Sequence, residues 1–374
     1  MKIAIVTFYG VSNYGAMLQS YALWKYLESH GHEVVFVQQR RFTIKRLSLF
    51  KCLLSRTLRG ARSKLLNNSR WAMSSFASKY PQTMFCRTLD DVRQATADYD
   101  AFVVGSDQVW NPVWWKSADD LPIAMLDFAP EGKPRISYAV SFGNKDWPTP
   151  ENMRQVGECL KKFTKISVRE QSGIDLVRSL SGRSDAICLL DPTLLHTAEF
   201  YQKEIIGESA RCPAGRASPY IFRYILGWDD EAFSNQALER VKGKLEISQV
   251  QSVGVLARDI KTFVRRFVCG RISVPEWVAS VHGATFVFTD SFHGTVFSIL
   301  FHKPFVTLLL RGEMRGMNER VLSLLGILGL SERAVYADEV EKWLPIVTKP
   351  IDWDDVEKRL ALCREKTDGF LDFK

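Results

Sequence analysis

Residues 285–310 read TFVFTDSFHGTVFSILFHKPFVTLLL and contain the unit from which the rest of the fold is built. An apolar run at 285–289 predicts a buried strand, and a second run at 304–310 predicts another. Residues 295–301, between the two runs, have the length and composition of a short helix. Strands joined through a helix in this way lie parallel, and ligands bind at their carboxyl ends.

The same alternation of strands and helices extends along the chain. Further apolar runs predict strands at 2–8, 33–39, 101–105, 135–142, 165–168, 186–190, 220–226 and 252–257. A stretch rich in Pro, Gly, Ala and Ser at 212–219 separates two halves. We therefore predict an α/β fold with two doubly wound Rossmann-like domains facing a cleft, as in GT-B-like proteins. The predicted domains are 1–205 and 215–349, with a C-terminal helix at 350–374 that packs back on the first.

One segment makes the chain basic. The net charge is +8, and twelve of the 50 lysines and arginines lie between Val34 and Leu89, where there is no Asp or Glu. Leucines near helical spacing predict a basic helical segment at 40–79. This segment is either a solvated helix or a surface for anionic lipid headgroups or a phosphorylated substrate. Nucleic acid is disfavoured, because basic and aromatic residues do not interleave.

No apolar run is long enough to span a bilayer, and the first residues lack the pattern of a signal peptide. We therefore expect a cytoplasmic protein, with peripheral contact at the inner face of the plasma membrane if the basic segment binds lipid. Seven cysteines without a Cys-x-x-Cys pair argue against a disulfide framework and a zinc site, so no metal is expected.

A Gly- and Asn-containing loop follows the first predicted strand. Asn13, Tyr14 and Gly15 stand just before a predicted helix. Glycine lets the backbone approach a ligand closely, and the free N–H groups of a helix start can bind an anion. We predict substrate contact here, and a tight turn without a ligand is the alternative.

A denser polar loop follows the predicted strand at 101–105. Its hydrogen-bonding side chains and an indole predicted to be exposed suit the hydroxyls and C–H faces of a sugar. The predicted substrate-binding residues are Ser106, Gln108, Trp110 and Asn111. Asp107 is a candidate base that accepts a proton from a sugar hydroxyl.

Two more strand ends carry charged residues. Arg169 can hold a carboxylate or phosphate by two parallel hydrogen bonds. The alternative is that Glu170 or another acid pairs with Arg169 at the surface. Asp191, after the next strand, is interpreted as a helix cap or a turn.

His293 follows a buried strand and stands at the start of a helix. Its imidazole can give or take a proton near neutral pH, and the helix start favours a bound phosphate. We therefore predict that His293 is catalytic and that Ser291, Gly294 and Thr295 bind substrate. Arg311, after the next strand, is predicted to reach the same cleft.

Together these segments resemble the polysaccharide pyruvyl transferase family. The likeness runs in order from about residue 3 to 330. It is carried by NYGAMLQ at 13–19, GSDQVWN at 105–111, SYA at 137–139, SFG at 141–143, SVRE at 167–170, LDPT at 190–193 and TDSFHGT at 289–295. Many members have Arg-Leu-His at the histidine, whereas Ser291 and Phe292 precede His293 here. Arg311 or a residue of the basic segment is expected to replace the missing charge.

The resemblance implies a transferase of bacterial surface polysaccharide biosynthesis. Such enzymes take pyruvate from phosphoenolpyruvate and attach it as a ketal to two hydroxyls of a sugar. His293 would be the acid or would stabilise the departing phosphate, Arg169 would hold the donor, and Ser141 would contact substrate. The acceptor would be a sugar or a lipid-linked oligosaccharide, with phosphoenolpyruvate as co-substrate and no other cofactor.

Two other functions remain open at this stage. The same architecture serves glycosyltransferases that use a nucleotide-sugar donor. A relative could also bind sugars without catalysis.

If the basic segment binds lipid, the protein should sediment with vesicles that contain anionic lipid at low salt. Raising the salt should release it, because the Debye length shrinks to about 10 Å at 0.1 M. Vesicle co-sedimentation measures both effects. Equal binding to neutral vesicles would contradict the prediction.

Overall fold

The computed structural model describes residues 1–11, 13–39, 73, 75–143, 150–207, 218–226, 231–254 and 272–373. Most of the predicted basic segment at 40–79 therefore lies outside the described residues. The described chain contains two parallel sheets, one in each half of the sequence.

The first half forms a six-stranded sheet. Its strands are β1 (Lys2–Val6), β2 (Glu33–Phe36), β3 (Ala101–Val104), β4 (Arg135–Val140), β5 (Lys165–Val168) and β6 (Ile187–Cys188). They lie in the order β2-β1-β3-β4-β5-β6. The helices are α1 (Tyr14–Ser29), α2 (Leu89–Ala95), α3 (Asp120–Ala124), α4 (Pro150–Lys161), α5 (Gln171–Ser181) and α6 (Ala198–Tyr201).

The second half forms a five-stranded sheet. Its strands are β7 (Ile221–Ile225), β8 (Val250–Gly254), β9 (Phe286–Thr289), β10 (Phe305–Leu308) and β11 (Ala334–Val335), in the order β11-β10-β9-β7-β8. The helices are α7 (Glu231–Leu245), α8 (Val274–Gly283), α9 (Phe292–Leu300), α10 (Glu319–Ile327), α11 (Val340–Trp343) and α12 (Trp353–Phe370). The prediction of an α/β fold with two doubly wound sheets is confirmed.

Burial explains why these sequences form parallel strands. Every residue of β3, β9 and β10 is buried, so these strands are continuous apolar runs rather than alternating ones. The helices that follow begin at polar caps. The Asn13 side chain accepts from Ala16 N at the start of α1, and that of Ser291 accepts from Gly294 N at the start of α9.

The strand orders fix where ligands can bind. Each sheet reverses its order at one point, between β1 and β3 in the first sheet and between β7 and β9 in the second. Loops leave in opposite directions at such a point, which opens a crevice at the carboxyl ends of the strands. The candidate residues of both halves follow these strand ends.

Aromatic packing joins the two halves. Tyr14 at the start of α1 stacks on Trp277 of α8, with ring centroids 5.5 Å apart, and its hydroxyl donates to the Ile272 carbonyl at 2.7 Å. The last helix, α12, returns to the first half, where Arg364 Nε donates to the Leu194 carbonyl at 2.8 Å. The predicted domain limits themselves stay a prediction.

Of the helices in the described ranges, none has both the length and the apolar composition needed to cross a membrane.

The Tyr14 contact between the halves can be tested by stability. Tyr14→Ala should lower the free energy of unfolding by about 3–5 kcal/mol, because it leaves a cavity against Trp277. Tyr14→Phe keeps the ring and should cost only about 1 kcal/mol for the lost hydrogen bond. Urea unfolding measures both. Equal losses in the two variants would show that ring packing is not what joins the halves.

Candidate active site

Asp191 lies at the centre of the polar cluster between the two halves. It is 1% exposed, and its Oδ2 accepts from Ser106 Oγ at 3.0 Å and from Arg169 Nη1 at 2.9 Å. Its Oδ1 accepts from the Thr193 amide at 3.1 Å and hydroxyl at 2.7 Å. Burial opposes ionisation, but His293, Arg169 and these hydrogen bonds outweigh it and hold the pKa of Asp191 well below its usual range.

Arg169 connects two acids at the end of β5. Its Nη1 pairs with Asp191, and its Nη2 lies 3.3 Å from Asp107 Oδ1. The alternative of a pair with Glu170 or another acid at the surface is therefore right in that other acids pair with Arg169, and wrong in the location, since the Arg169 side chain is 1% exposed. Burial disfavours the charged form, yet the two aspartates raise the pKa of Arg169 above its ordinary value. The two aspartates therefore hold the Arg169 side chain in place and balance its positive charge.

The backbone at Asp107 is strained. Asp107 has φ of +75°, a left-handed conformation that is uncommon outside glycine. Its carbonyl accepts from the Ser141 amide at 2.9 Å, which ties the loop after β3 to the end of β4. Strain of this kind persists only where surrounding contacts enforce it, and it clusters at functional sites. The Asp107 side chain is 15% exposed, so it is open to a ligand.

His293 reaches this cluster from the second half. Its Nε2 lies 3.5 Å from Asp191 Oδ2 but forms no hydrogen bond. The Nδ1 edge of the ring lies against α1, where a Cβ on Gly15 would be 2.0 Å from His293 Nδ1. Gly15 is therefore needed for the close approach of α1 to the imidazole.

Glu170 is a second buried acid. Its Oε1 accepts from Ser141 Oγ at 2.9 Å and from the Phe142 amide at 3.0 Å. Burial raises the pKa of Glu170, although Arg169 and Arg320 oppose the shift. Its Oε2 has no hydrogen-bond partner.

Phe292 and Arg320 complete the cluster. The guanidinium carbon of Arg169 lies 4.5 Å from the centroid of the Phe292 ring, and that of Arg320 lies 5.9 Å from it. Arg320 is near the start of α10, and burial together with repulsion from Arg169 lowers its pKa to about 10.

Four buried polar atoms without a hydrogen bond come together here: Arg169 Nε, Glu170 Oε2, His293 Nε2 and Arg320 Nε. Buried polar atoms are rarely left without a partner, because each one costs about 1–3 kcal/mol. Their concentration at one place indicates a site that a polar ligand completes.

Trp110 corrects one prediction. The indole was predicted to be exposed, but it is 0% exposed and packs against Phe142 and Phe163. Its Nε1 donates to the Ala124 carbonyl at 3.1 Å. Trp110 is a core residue, and it offers no face to a sugar.

Arg311 also lies in surroundings that the sequence did not indicate. Its guanidinium pairs with Asp338 at 2.8 Å and Glu339 at 2.9 Å and lies over the Tyr336 ring. Its side chain is thus engaged with residues of the second half. A role for Arg311 in the cleft stays a prediction.

Several other predicted site residues have structural tasks in this fold. Asn13 and Ser291 cap helices, and Tyr14 joins the halves. Asn111 Oδ1 accepts from the Val113 amide at 3.1 Å, and Gly294 is required because a Cβ there would meet Thr289. The hydroxyl of Thr295 lies 2.6 Å from that of Thr307. Substrate contact by these residues stays a prediction.

Three residues of the cluster were not among the predicted site residues. Asp191 was interpreted as a cap, and it does accept from the Thr193 amide, but it also holds Arg169. Glu170 was considered only as a surface partner. Arg320 gave no signal, because it lies in an apolar helix far along the sequence from the other site residues.

The cluster can move protons and bind an anion. A histidine beside an ionised, buried carboxylate can become imidazolium and act as an acid. Asp107 can accept a proton, and Arg320 adds positive charge. Among the described residues, no group of three or more His, Cys, Asp or Glu side chains is arranged to hold a metal ion.

Comparisons with known proteins identify a family and a fold. A sequence profile described as polysaccharide pyruvyl transferase matches residues 13–310. That range includes every predicted site residue except Arg311. A search of curated proteins found no match.

Solved structures with the same fold are distant in sequence. UDP-GlcNAc 2-epimerase from Neisseria meningitidis, bound to UDP-GlcNAc, has a TM-score of 0.54 at 12% identity, covering 99% of both chains. The S. aureus MnaA–UDP structure has a TM-score of 0.55 at 12% identity, covering 98% of this chain and 95% of that one. The epimerase from Methanocaldococcus jannaschii has a TM-score of 0.51 at 11% identity, covering 97% and 99%.

Fold and site together define a GT-B-like α/β protein with a polar cluster between its halves. The chain belongs to the polysaccharide pyruvyl transferase family.

Asp191 should make stability depend on pH. Asp191→Asn should lower the free energy of unfolding by about 3–5 kcal/mol near pH 7, because it leaves Arg169 buried with one acid fewer. The pKa of Asp191 is lowered in the folded state, so its contribution is present above the unfolded-state pKa of about 3.9 and lost as pH falls further. The difference between wild type and variant should therefore narrow below about pH 4, as urea unfolding from pH 7 to pH 3 would show.

Asp127→Asn is the matched control. Asp127 pairs with Lys162 at 2.6 Å on the surface, so its loss should cost less than about 1 kcal/mol. If the difference in unfolding free energy between wild type and Asp191→Asn stays constant down to pH 3, the assignment of a buried, ionised carboxylate is contradicted.

Proposed function

We propose that the protein transfers pyruvate from phosphoenolpyruvate onto a sugar as a ketal, in the assembly of a bacterial surface polysaccharide. The observation that carries this proposal is the contact of His293 with the buried, ionised Asp191, at a junction where four polar atoms lack partners. Membership of the family supports the choice of donor.

In the proposed reaction, His293 protonates the methylene carbon of the enol. The product is an oxocarbenium-like species that a sugar hydroxyl attacks, and the hydroxyl gives its proton to Asp107. The C–O bond to phosphate then breaks, and the departing phosphate takes the proton from Asp107. A second hydroxyl of the same sugar attacks the resulting oxocarbenium-like carbon and closes the ketal, and its proton goes to His293. Asp191 would stabilise the imidazolium form of His293 before it gives up its proton, since the two groups lie 3.5 Å apart.

Arg169 takes a positioning role in this proposal. It was expected to hold the donor, but both of its terminal nitrogens pair with Asp107 and Asp191. A guanidinium held in this way keeps the proposed acid–base groups in place and favours the ionised form of Asp191.

The proposed acceptor is a sugar or a lipid-linked oligosaccharide. A sugar on a lipid carrier would bring the enzyme to the inner face of the plasma membrane, where the basic segment would meet anionic lipid. No cofactor besides the co-substrate is proposed.

A nucleotide-sugar donor is the second candidate, because the N. meningitidis and S. aureus structures contain UDP-GlcNAc and UDP. This candidate expects UDP to raise the melting temperature while phosphoenolpyruvate does not. The proposed function expects the reverse.

His293→Gln tests the proposed acid. The variant should lower acceptor-dependent phosphate release from phosphoenolpyruvate by about 10²–10⁴-fold, because glutamine cannot donate a proton. A panel of sugar acceptors with mass spectrometry of the product measures the transfer. The control is His302→Gln, since His302 is exposed, pairs with Glu357 at 3.0 Å and should leave the rate unchanged.

Two outcomes would overturn the proposal. Full activity of His293→Gln would remove the histidine from the chemistry. Absence of phosphate release across the panel, together with stabilisation by UDP, would favour the nucleotide-sugar candidate.

A further inference from the structure

Arg320 is a buried cation for which the reaction proposed above has no use. It is 9% exposed and lies in α10, whose other buried residues, Val321, Leu324 and Leu325, are apolar. Burying a guanidinium is costly unless an anion compensates for the lost water. The neighbours of Arg320 therefore decide what it does.

No carboxylate among the described residues lies within ion-pair distance of Arg320, and its Nε has no hydrogen-bond partner. Its nearest polar neighbour is the neutral amide of Gln108, which lies 3.0 Å from Arg320 Nη1 and 2.8 Å from Asn111 Nδ2. With the amide turned so that its oxygen faces Arg320, that oxygen accepts from Nη1 at 3.0 Å and from Nη2 at 3.2 Å, so this partner of the guanidinium is a neutral one.

Two other buried arginines show how the fold satisfies the terminal nitrogens of such a group, although the Nε of each also has no hydrogen-bond partner. Arg169 has an aspartate on each terminal nitrogen. Arg333 is 0% exposed, and its Nη1 and Nη2 donate to the carbonyls of Ile346 at 2.8 Å and Lys349 at 2.6 Å. Arg320 has neither two acids nor two carbonyls, and among the described residues its terminal nitrogens share one neutral amide oxygen.

An ionic partner for Arg320 would lie at the site of His293. Arg320 and Arg169 both contact Phe292, the neighbour of His293 in the sequence, and repulsion from Arg169 acts on Arg320. The two guanidinium groups lie beside one ring, and the carboxylates of Asp107, Glu170 and Asp191 act electrostatically on both. Of the two, only Arg320 has no carboxylate paired with it.

We propose that Arg320 binds the phosphate group of the donor. The identification of this anion as the donor's phosphate rests on the proposed function, whereas the need for an anion rests on the contacts of Arg320 alone. A phosphate offers several oxygens to the planar fork of a guanidinium, which a lysine cannot match. Arg320 would then hold the leaving group close to His293.

The test compares ligand binding by the full chain and three variants. Inorganic phosphate, phosphoenolpyruvate and pyruvate are added separately, at ionic strength matched with chloride, and melting temperature and calorimetric Kd are measured. Arg320→Met removes the charge, Arg320→Lys keeps it without the fork, and Arg240→Met is the control. Arg240 is an exposed arginine of the second half that pairs with Glu341 at 2.8 Å.

Phosphate and phosphoenolpyruvate should stabilise wild type and Arg240→Met, and pyruvate should not. Arg320→Met should bind both phosphate ligands about tenfold to hundredfold more weakly, with Arg320→Lys in between. Without ligand, Arg320→Met should stay folded, because it removes a buried cation that forms no ion pair with a described carboxylate.

Wild-type phosphate affinity in Arg320→Lys and in a folded Arg320→Met would overturn the assignment, as would equal stabilisation by pyruvate. If Arg320→Met does not fold, Arg320→Lys decides alone. The transfer assay separates this proposal from the proposed function. If the Arg320 variants lose phosphate binding but wild type transfers no pyruvyl group, the assignment of Arg320 as the phosphate-binding residue stands and the proposed reaction is overturned. If pyruvyl transfer occurs and Arg320→Lys has an unchanged KM for phosphoenolpyruvate, the reaction is supported and the assignment of Arg320 is overturned.

Discussion

Asp191 carries its negative charge in the interior, and the contacts that permit this come from both halves of the chain. Ser106, Arg169 and Thr193 supply hydrogen bonds from the first half, and His293 approaches from the second. An isolated buried carboxylate would be too costly to keep ionised. The site is therefore assembled only when the two sheets are docked, so docking and the proposed acid–base chemistry depend on one another.

This dependence explains two features of the backbone. Gly15 allows α1 to lie directly against the His293 imidazole, which a methyl group would displace. At the end of β3, Asp107 adopts φ of +75° and places its carboxylate on Arg169. The first feature brings the halves together, and the second aims an acid at their junction. Gly15 and the left-handed backbone at Asp107 lower local stability, and the geometry of the cluster depends on both.

Much of the fold could be predicted from the sequence, because buried parallel strands are continuous apolar runs with turns between them. The strand at 165–168 was predicted with its observed ends. The site was harder. Trp110 stands among polar residues in the sequence, but its neighbours in space, Phe142 and Phe163, lie on later elements. Arg320 is 151 positions after Arg169, and only the docking of the halves brings both to Phe292.

Arg169 and Arg320 show why burial alone does not identify a binding residue. Both are at least nine-tenths buried, and both contact Phe292. An arginine that already holds two aspartates has little to gain from a ligand, because new bonds would replace existing ones. An arginine beside a neutral amide gains an ion pair when an anion binds. Binding then recovers the free energy that was lost when the guanidinium was buried without an ionic partner. Arg169 has two ion-pair partners and Arg320 has none among the described residues, which points to Arg320 as the anion-binding residue at this junction.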